Sequence, residues 1–239
     1  MLAAGGSDTT DARQALAKLC QSYWYPLYAY VRRRGFAQPD AEDLTQEFFA
    51  RFLEHSWVAN ADREKGQFRT FLLSAMNHFL ANEWDKARAQ KRGGGAELLP
   101  LEFSQAETVY TREPADNATP EQHFERRWAI ALLETVLERL RLEHEQENKP
   151  DLFAALNPCL VEGNLAPYRE LAKRLNLSEA AVKSAVHRLR QRYRQLLRQE
   201  VAQTVASPGE VDAELRHLVR ALAGQSSPLE GGRMNGLVD

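Results

Sequence analysis

Residues 168–198, YRELAKRLNLSEAAVKSAVHRLRQRYRQLLR, hold nine Lys or Arg against two Glu, a surplus of seven positive charges in a chain of 239 residues with a formal net charge of −2. Neutralising phosphate needs cations gathered in one place, not a basic average. Leu171 and Leu175, followed by Val182, Val186 and Leu189, give two apolar stripes at helical spacing, with the small Ala172 where two helices would cross. Asn176 stands at the turn between them, where a left-handed residue is needed and Asn is tolerated. Ser178 then caps the second helix. With the valines inward, Glu179, Ala181, Lys183, Ser184, His187, Arg188 and Gln191 point outward, as on a recognition helix in a major groove. Arg190, Arg192, Arg194 and Arg198 follow and would lie over the DNA backbone. The plainer alternative is an ordinary basic helical hairpin.

A second constellation is acidic. Residues 38–54 hold five acids and one base, and Asp40, Asp43 and Glu47 recur at spacings of three and four, with Gln46 beside them. Such a face repels DNA and suits docking against a basic protein surface. A solvated helix face, with its acids favoured by the helix dipole, explains the same pattern without a partner.

A third segment, residues 62–92, holds seven Lys or Arg against four acids, with aromatic rings and polar Asn77, His78 and Asn82 interleaved. Basic groups beside rings that can stack suit single-stranded or melted DNA. Phe71 and Phe79 are assigned to packing, whereas Phe68 and Trp84 are open to either role. His78 has no second ligand nearby, which argues against a metal.

The elements that must carry these groups are helical throughout. One helix runs from about residue 10 to 34, with Pro26 as a point of bending or division and Gly35 as its close. A second opens at Pro39–Asp40 with Asp40 as N-cap, and a third spans about 68–91. Residues 93–118, starting with three glycines, read as a linker. Thr119-Pro120-Glu121-Gln122 starts a helix that carries Phe124, Trp128, Leu132, Val136 and Leu140 inward. Ser207-Pro208-Gly209-Glu210 reads as a further capping box before an amphipathic helix closed by Gly224. The tail 225–239 lacks periodicity and is expected to be disordered. The two cysteines, Cys20 and Cys159, form no metal or disulfide pattern and read as buried thiols. No phosphate loop, nucleophile elbow or zinc signature occurs, so no enzymatic activity, cofactor or metal is expected. With no apolar run long enough for a membrane span and no signal-peptide pattern at residues 1–10, the chain is expected to be cytoplasmic.

Taken in order, an acidic-faced helix, a basic aromatic helix, a linker and a helix-turn-helix resemble the sigma-70 family of RNA polymerase sigma factors, in the small extracytoplasmic-function (ECF) form. DAEDLTQEFFARFL at 40–53 looks like region 2.2, residues 67–92 like regions 2.3 and 2.4, and residues 167–194 like region 4.2. The resemblance implies an all-α chain of two small helical domains. Region 2 would occupy 10–92, the linker 93–118, region 4 119–205, and an additional C-terminal helix 206–224. Asp40, Asp43, Gln46 and Glu47 would dock the clamp helices of the polymerase largest subunit. The loop 55–66 and the helix after it would open and capture the minus-ten element, by flipping a base from the stack. Implied contacts there are Arg63, Lys65, Phe68, Arg69, Asn77, His78 and Asn82, followed by Trp84, Lys86, Arg88, Lys91 and Arg92. Ser178, Ala181, Lys183, Ser184, His187, Arg188 and Gln191 would read the minus-thirty-five element. Core RNA polymerase and promoter DNA are the implied partners, with an anti-sigma protein or a kinase as possible controls.

Three departures from the pattern matter. Ala181 and Ala185 stand where relatives often have Thr and Arg, Trp84 and Asp85 interrupt a basic run, and the helix after residue 206 is an addition. The competing readings are a free-standing helix-turn-helix regulator, favoured by specific duplex binding without polymerase, and a helical nucleic-acid-processing enzyme, which no residue pattern supports.

Overall fold

The computed structural model describes residues 10–54, 67–89, 106–113, 117–160 and 168–224, with side chains described for all of these except 10–21, 53–54 and 84–89. All regular structure among the described residues is helical: α1 (Thr10–Arg33), α2 (Gln38–Glu54), α3 (Phe68–Ala89), α4 (Ala106–Thr111), α5 (Pro120–Gln146), α6 (Pro150–Leu156), α7 (Tyr168–Leu175), α8 (Glu179–Ala202) and α9 (Val211–Leu222). Short 3₁₀ turns follow α6 at Asn157–Leu160 and precede α9 at Pro208–Glu210.

The described residues fall into two compact units. Unit 1 takes those of 1–131 and 202–239, and unit 2 is 132–201. This division differs from the domain limits expected above. The first turns of α5 and the whole of α9 belong with α1–α4. Within the expected linker, residues 106–111 form α4.

Unit 1 is held by aromatic packing. Trp24, Leu27, Tyr28, Tyr30, Phe48, Phe52, Leu72, Met76 and Phe124 are all fully buried. Phe48 meets Phe79 edge-on at 5.7 Å and Tyr23 meets Phe68 edge-on at 5.3 Å, geometries that the ring quadrupoles favour. The Trp128 indole donates to the Tyr23 hydroxyl at 2.9 Å, so the buried N–H has its acceptor. Pro26 sits inside α1 without dividing it. Proline inside a helix costs about 3 kcal/mol. Burying each large neighbour on this face, such as Trp24, Leu27 and Tyr28, returns about 1.5–3 kcal/mol. The helix closes at Gly35, whose φ of +95° is the left-handed conformation a side chain would resist. The second helix begins two residues before the expected N-cap. Asp40 is therefore inside the first turn, where its charge still favours the positive helix end.

α4 is tied to α1 by charge. Glu107 accepts from Arg32 Nη2 at 2.8 Å and Nε at 3.1 Å, and also from the Tyr28 hydroxyl. The Arg32 guanidinium in turn lies 4.7 Å over the Tyr110 ring. Just beyond α4, the Glu113 carboxylate meets Arg127 Nε at 2.5 Å and the Tyr25 hydroxyl at 2.5 Å. These buried and half-buried pairs explain why residues 106–113 do not behave as a plain linker.

Unit 2 is the helix-turn-helix with its support. Val136, Leu140, Leu156, Cys159, Leu171, Val182, Val186, Leu189 and Leu196 make its core. Two helices in it end the same way. At the end of α7, Leu177 N–H reaches back to Ala172 O at 3.0 Å and Asn176 takes φ +53°. At the end of α5, Lys149 N–H reaches His144 O at 2.8 Å and Asn148 takes φ +56°. Both are left-handed closures that satisfy orphan carbonyls, with Asn in the place glycine usually takes. The start of α5 forms the expected reciprocal cap: Thr119 N–H bonds Gln122 Oε1 at 3.0 Å and Gln122 N–H bonds Thr119 Oγ1 at 3.3 Å. The box expected at 207–210 does not form. Ser207 Oγ donates to the Glu210 carboxylate at 3.1 Å instead of capping a backbone N–H, and a 3₁₀ turn leads into α9.

Candidate nucleic-acid interface

α8 presents its polar row as the valine register requires. Val182, Val186 and Leu189 are buried, leaving Glu179, Lys183, Ser184, His187, Arg188 and Gln191 exposed. Lys183, Ser184, His187 and Arg188 line one shallow depression. Ser178 accepts a bond from Ala181 N–H at 3.1 Å, so it acts as the cap of α8, while Ala181 is half-buried.

The basic arm is less uniform than its sequence. Arg190 donates twice to Cys159 O, at 3.0 and 2.7 Å, and thereby pins the turn after α6 to α8. Arg192 grips Glu143 of α5 through Nε at 2.8 Å and Nη2 at 2.6 Å. That bond holds the Glu143 carboxyl below its ordinary range. Both arginines were expected over a DNA backbone; both instead brace unit 2. Arg194 and Arg198 remain exposed on the same helix.

α3 divides its expected contacts sharply. His78 and Asn82 are exposed and Asn77 is half-buried. The Asn77 amide oxygen accepts from the Tyr30 hydroxyl at 2.6 Å and from Arg34 Nη1 at 3.0 Å. Arginine can only donate, so the oxygen faces inward and the amide N–H₂ faces away. Phe68 and Arg69 depart from expectation: they are 4% and 2% exposed. Phe68 completes the aromatic core. Arg69 is enclosed by Glu214, Glu125 and the Trp128 ring. In this arrangement neither side chain can reach DNA. Trp84, Lys86 and Arg88 lie on α3 with side chains outside the described set, and Arg63, Lys65, Lys91, Arg92 and the loop 55–66 lie outside the described residues.

On α2, Asp40 and Asp43 are exposed, and Gln46 and Glu47 are half-buried. Glu47 pairs with Arg51, one turn on, which also donates to Glu83 of α3 at 2.8 Å. The outward negative charge therefore rests chiefly on Asp40 and Asp43. Thr45, fully buried, bonds Ala41 O at 2.7 Å and marks the inward face. The residues that sequence reasoning missed are Tyr30 and Arg34, which orient Asn77. They are separated from it by 47 and 43 positions, so no local pattern could have revealed them. No helix among the described residues is long and apolar enough to cross a membrane. Nor do the described residues contain a cluster of three or more His, Cys, Asp or Glu that could hold a metal ion.

Residues 19–90, which span most of α1, all of α2 and all of α3, match the family model for Sigma-70 region 2. Over 182 residues the chain is 29% identical to "ECF RNA polymerase sigma factor SigE" of Mycolicibacterium smegmatis (strain ATCC 700084 / mc(2)155), covering 76% of this chain and 61% of that relative. The chain thus spans about three-fifths of that relative's length. No solved structure gives a significant match. The region 2 match falls on the helices that carry the acidic face and Asn77. On these grounds residues 19–90 are similar to sigma-70 region 2, and the chain is similar over 182 residues to an ECF RNA polymerase sigma factor.

Proposed function

We propose that this chain binds core RNA polymerase and directs it to promoters in transcription initiation. The observation that carries the reading is the pair Asp40 and Asp43, exposed on a helix that lies wholly within the segment matched to region 2. With Gln46 and Glu47 beside them, these carboxylates dock the basic clamp helices of the polymerase largest subunit. Exposed Lys183, Ser184, His187, Arg188 and Gln191 read the minus-thirty-five element from the major groove. Asn77, His78 and Asn82, with the basic residues of 63–65 and 84–92, meet the minus-ten strand. The region 2 match counts against the free-standing regulator, which has no use for a polymerase-docking helix.

The test is reconstitution. Core bacterial polymerase is incubated with the purified chain, separated by size exclusion at low salt, and supplied with genomic fragments for run-off transcription. Co-elution and transcripts with discrete starts are the expected result. A folded chain that never co-elutes with core sinks the proposal.

A further inference from the structure

We infer that α9 is an intramolecular ligand of Arg69, covering the base of the minus-ten surface with a carboxylate where a phosphate would otherwise bind. The consequence for promoters rests on the function proposed above; the contact itself does not. Three observations converge. Arg69, on the first turn of α3, has its Nε 3.0 Å from Glu214 Oε1, and its Nη2 donates to Glu214 Oε2 at 3.1 Å. Glu214 is fully buried on α9, whose Val211, Leu218 and Ala221 are buried beside it. The Phe68 N–H, at the very start of α3, donates to Thr204 O at 3.0 Å, so the chain leading into α9 also caps α3.

The remaining walls belong to α5. Glu125 lies 3.9 Å from Arg69 Nη1 and 3.0 Å from His217 Nε2 of α9, and the Arg69 guanidinium sits 5.1 Å over the Trp128 ring. A guanidinium over an indole, met at 3.0 Å by the Glu214 carboxylate and more loosely by Glu125, has the make-up of an anion socket. Glu214 fills it from a helix outside the region 2 match. Residues 55–66, read as the strand-capture loop, end immediately before this point in the chain. Withdrawing α9 removes the nearer carboxylate and leaves Arg69 with Glu125 at 3.9 Å and the Trp128 ring. The docked chain therefore binds single-stranded DNA with one cation fewer than the released chain.

The experiment uses the full chain and a labelled oligothymidylate of about 20 nucleotides, read by anisotropy over a salt series. Val211→Asn with Leu218→Asn spoils the apolar face of α9 without changing charge, and Glu214→Ala removes the ligand directly. Each release variant is expected to bind about tenfold more tightly, the worth of one charge-assisted bond. The slope of log affinity against log salt should steepen by about 0.7, the increment for one more phosphate on a single strand. Adding Arg69→Ala should erase both gains. Wild-type affinity in release variants whose helical circular dichroism is intact overturns the inference. So does a gain that survives Arg69→Ala. A collapse of helical signal on release also overturns it, because α9 would then be a wall of the domain and not a cover. The promoter role is judged separately by core co-elution, and its failure leaves these DNA readouts standing.

Discussion

The two units put their arginines to opposite uses. In unit 1, Arg32, Arg69 and Arg127 meet Glu107, Glu214 and Glu113 in buried or half-buried pairs that tie α4 to α1, α9 to α3, and α5 to the segment after α4. In unit 2, Lys183 and Arg188 project from α8 into solvent, while Arg190 and Arg192 turn back to brace the fold. A cation in a sequence is thus equally consistent with a lattice of internal ties and with a surface kept ready for phosphate. What separates the two is whether a carboxylate arrives from a distant part of the chain. Desolvation makes an unpaired buried charge costly, so Arg32, Arg69 and Arg127 each came inward with an acid.

That contrast can be broken most forcefully at Arg69. Arg69→Ala should cost the docked arrangement of unit 1 about 3–5 kcal/mol, because the buried Glu214 and Glu125 lose the guanidinium they share. The loss should appear as a lower urea midpoint and faster amide exchange in α9. Arg192→Ala, its counterpart at the surface of unit 2, should cost under about 1 kcal/mol. Equal costs would erase the distinction between the units.

Charge reversal on the outer face comes next. Asp40→Lys with Asp43→Lys should weaken core polymerase binding by about 2–5 kcal/mol, since like charges would then oppose across the interface. Thermal stability should hardly move, both side chains being exposed. Pull-down titrations set beside a melting curve decide it. On α8, Arg188→Ala should cost about 1–3 kcal/mol of promoter affinity and relax preference at one base position. Binding selections on randomised promoter libraries would show whether the preference narrows to a single position. A uniform loss at every sequence would instead make Arg188 a phosphate contact.

The turn of the helix-turn-helix offers a smaller effect. Asn176→Ala should destabilise unit 2 by about 1 kcal/mol because alanine resists the φ of +53°, whereas Asn176→Gly should be tolerated. Smallest is the response to pH, which should differ in sign between the units. The Arg192 bond lowers the Glu143 carboxyl, so that pair stabilises unit 2 above the ordinary value of 4.5 and is lost as pH falls through the lowered one. Burial raises the Glu214 carboxyl, so its contribution is complete below 4.5 and declines as pH climbs through the raised one. Amide exchange of α8 and α9, followed over the same pH series, should therefore move in opposite directions.

Much of this was legible before any coordinates. Helical spacing placed Phe124, Trp128, Val136 and Leu140 inward, and they are buried. Asn176 and Gly35 announced left-handed closures, and both have positive φ. The valine register of α8 set which side chains face out, because a 100° step per residue leaves no freedom once the core face is known. Local rules did fail at Ser207, whose hydroxyl bonds the Glu210 carboxylate and no backbone N–H, and at Asp40, which lies inside the first turn of α2.

Charge pairing was not legible. The chain by itself determined helix positions, core faces and the existence of acidic and basic surfaces, since these follow from periodicity and composition within one element. Only the tertiary structure decided that residues 106–113 clasp α1, that α9 joins unit 1, and that Arg69 faces a carboxylate 145 positions away. Ion pairs carry no periodicity. An arginine looks the same in a sequence whether its acid is four residues off or at the far end of the chain, and only folding selects between them.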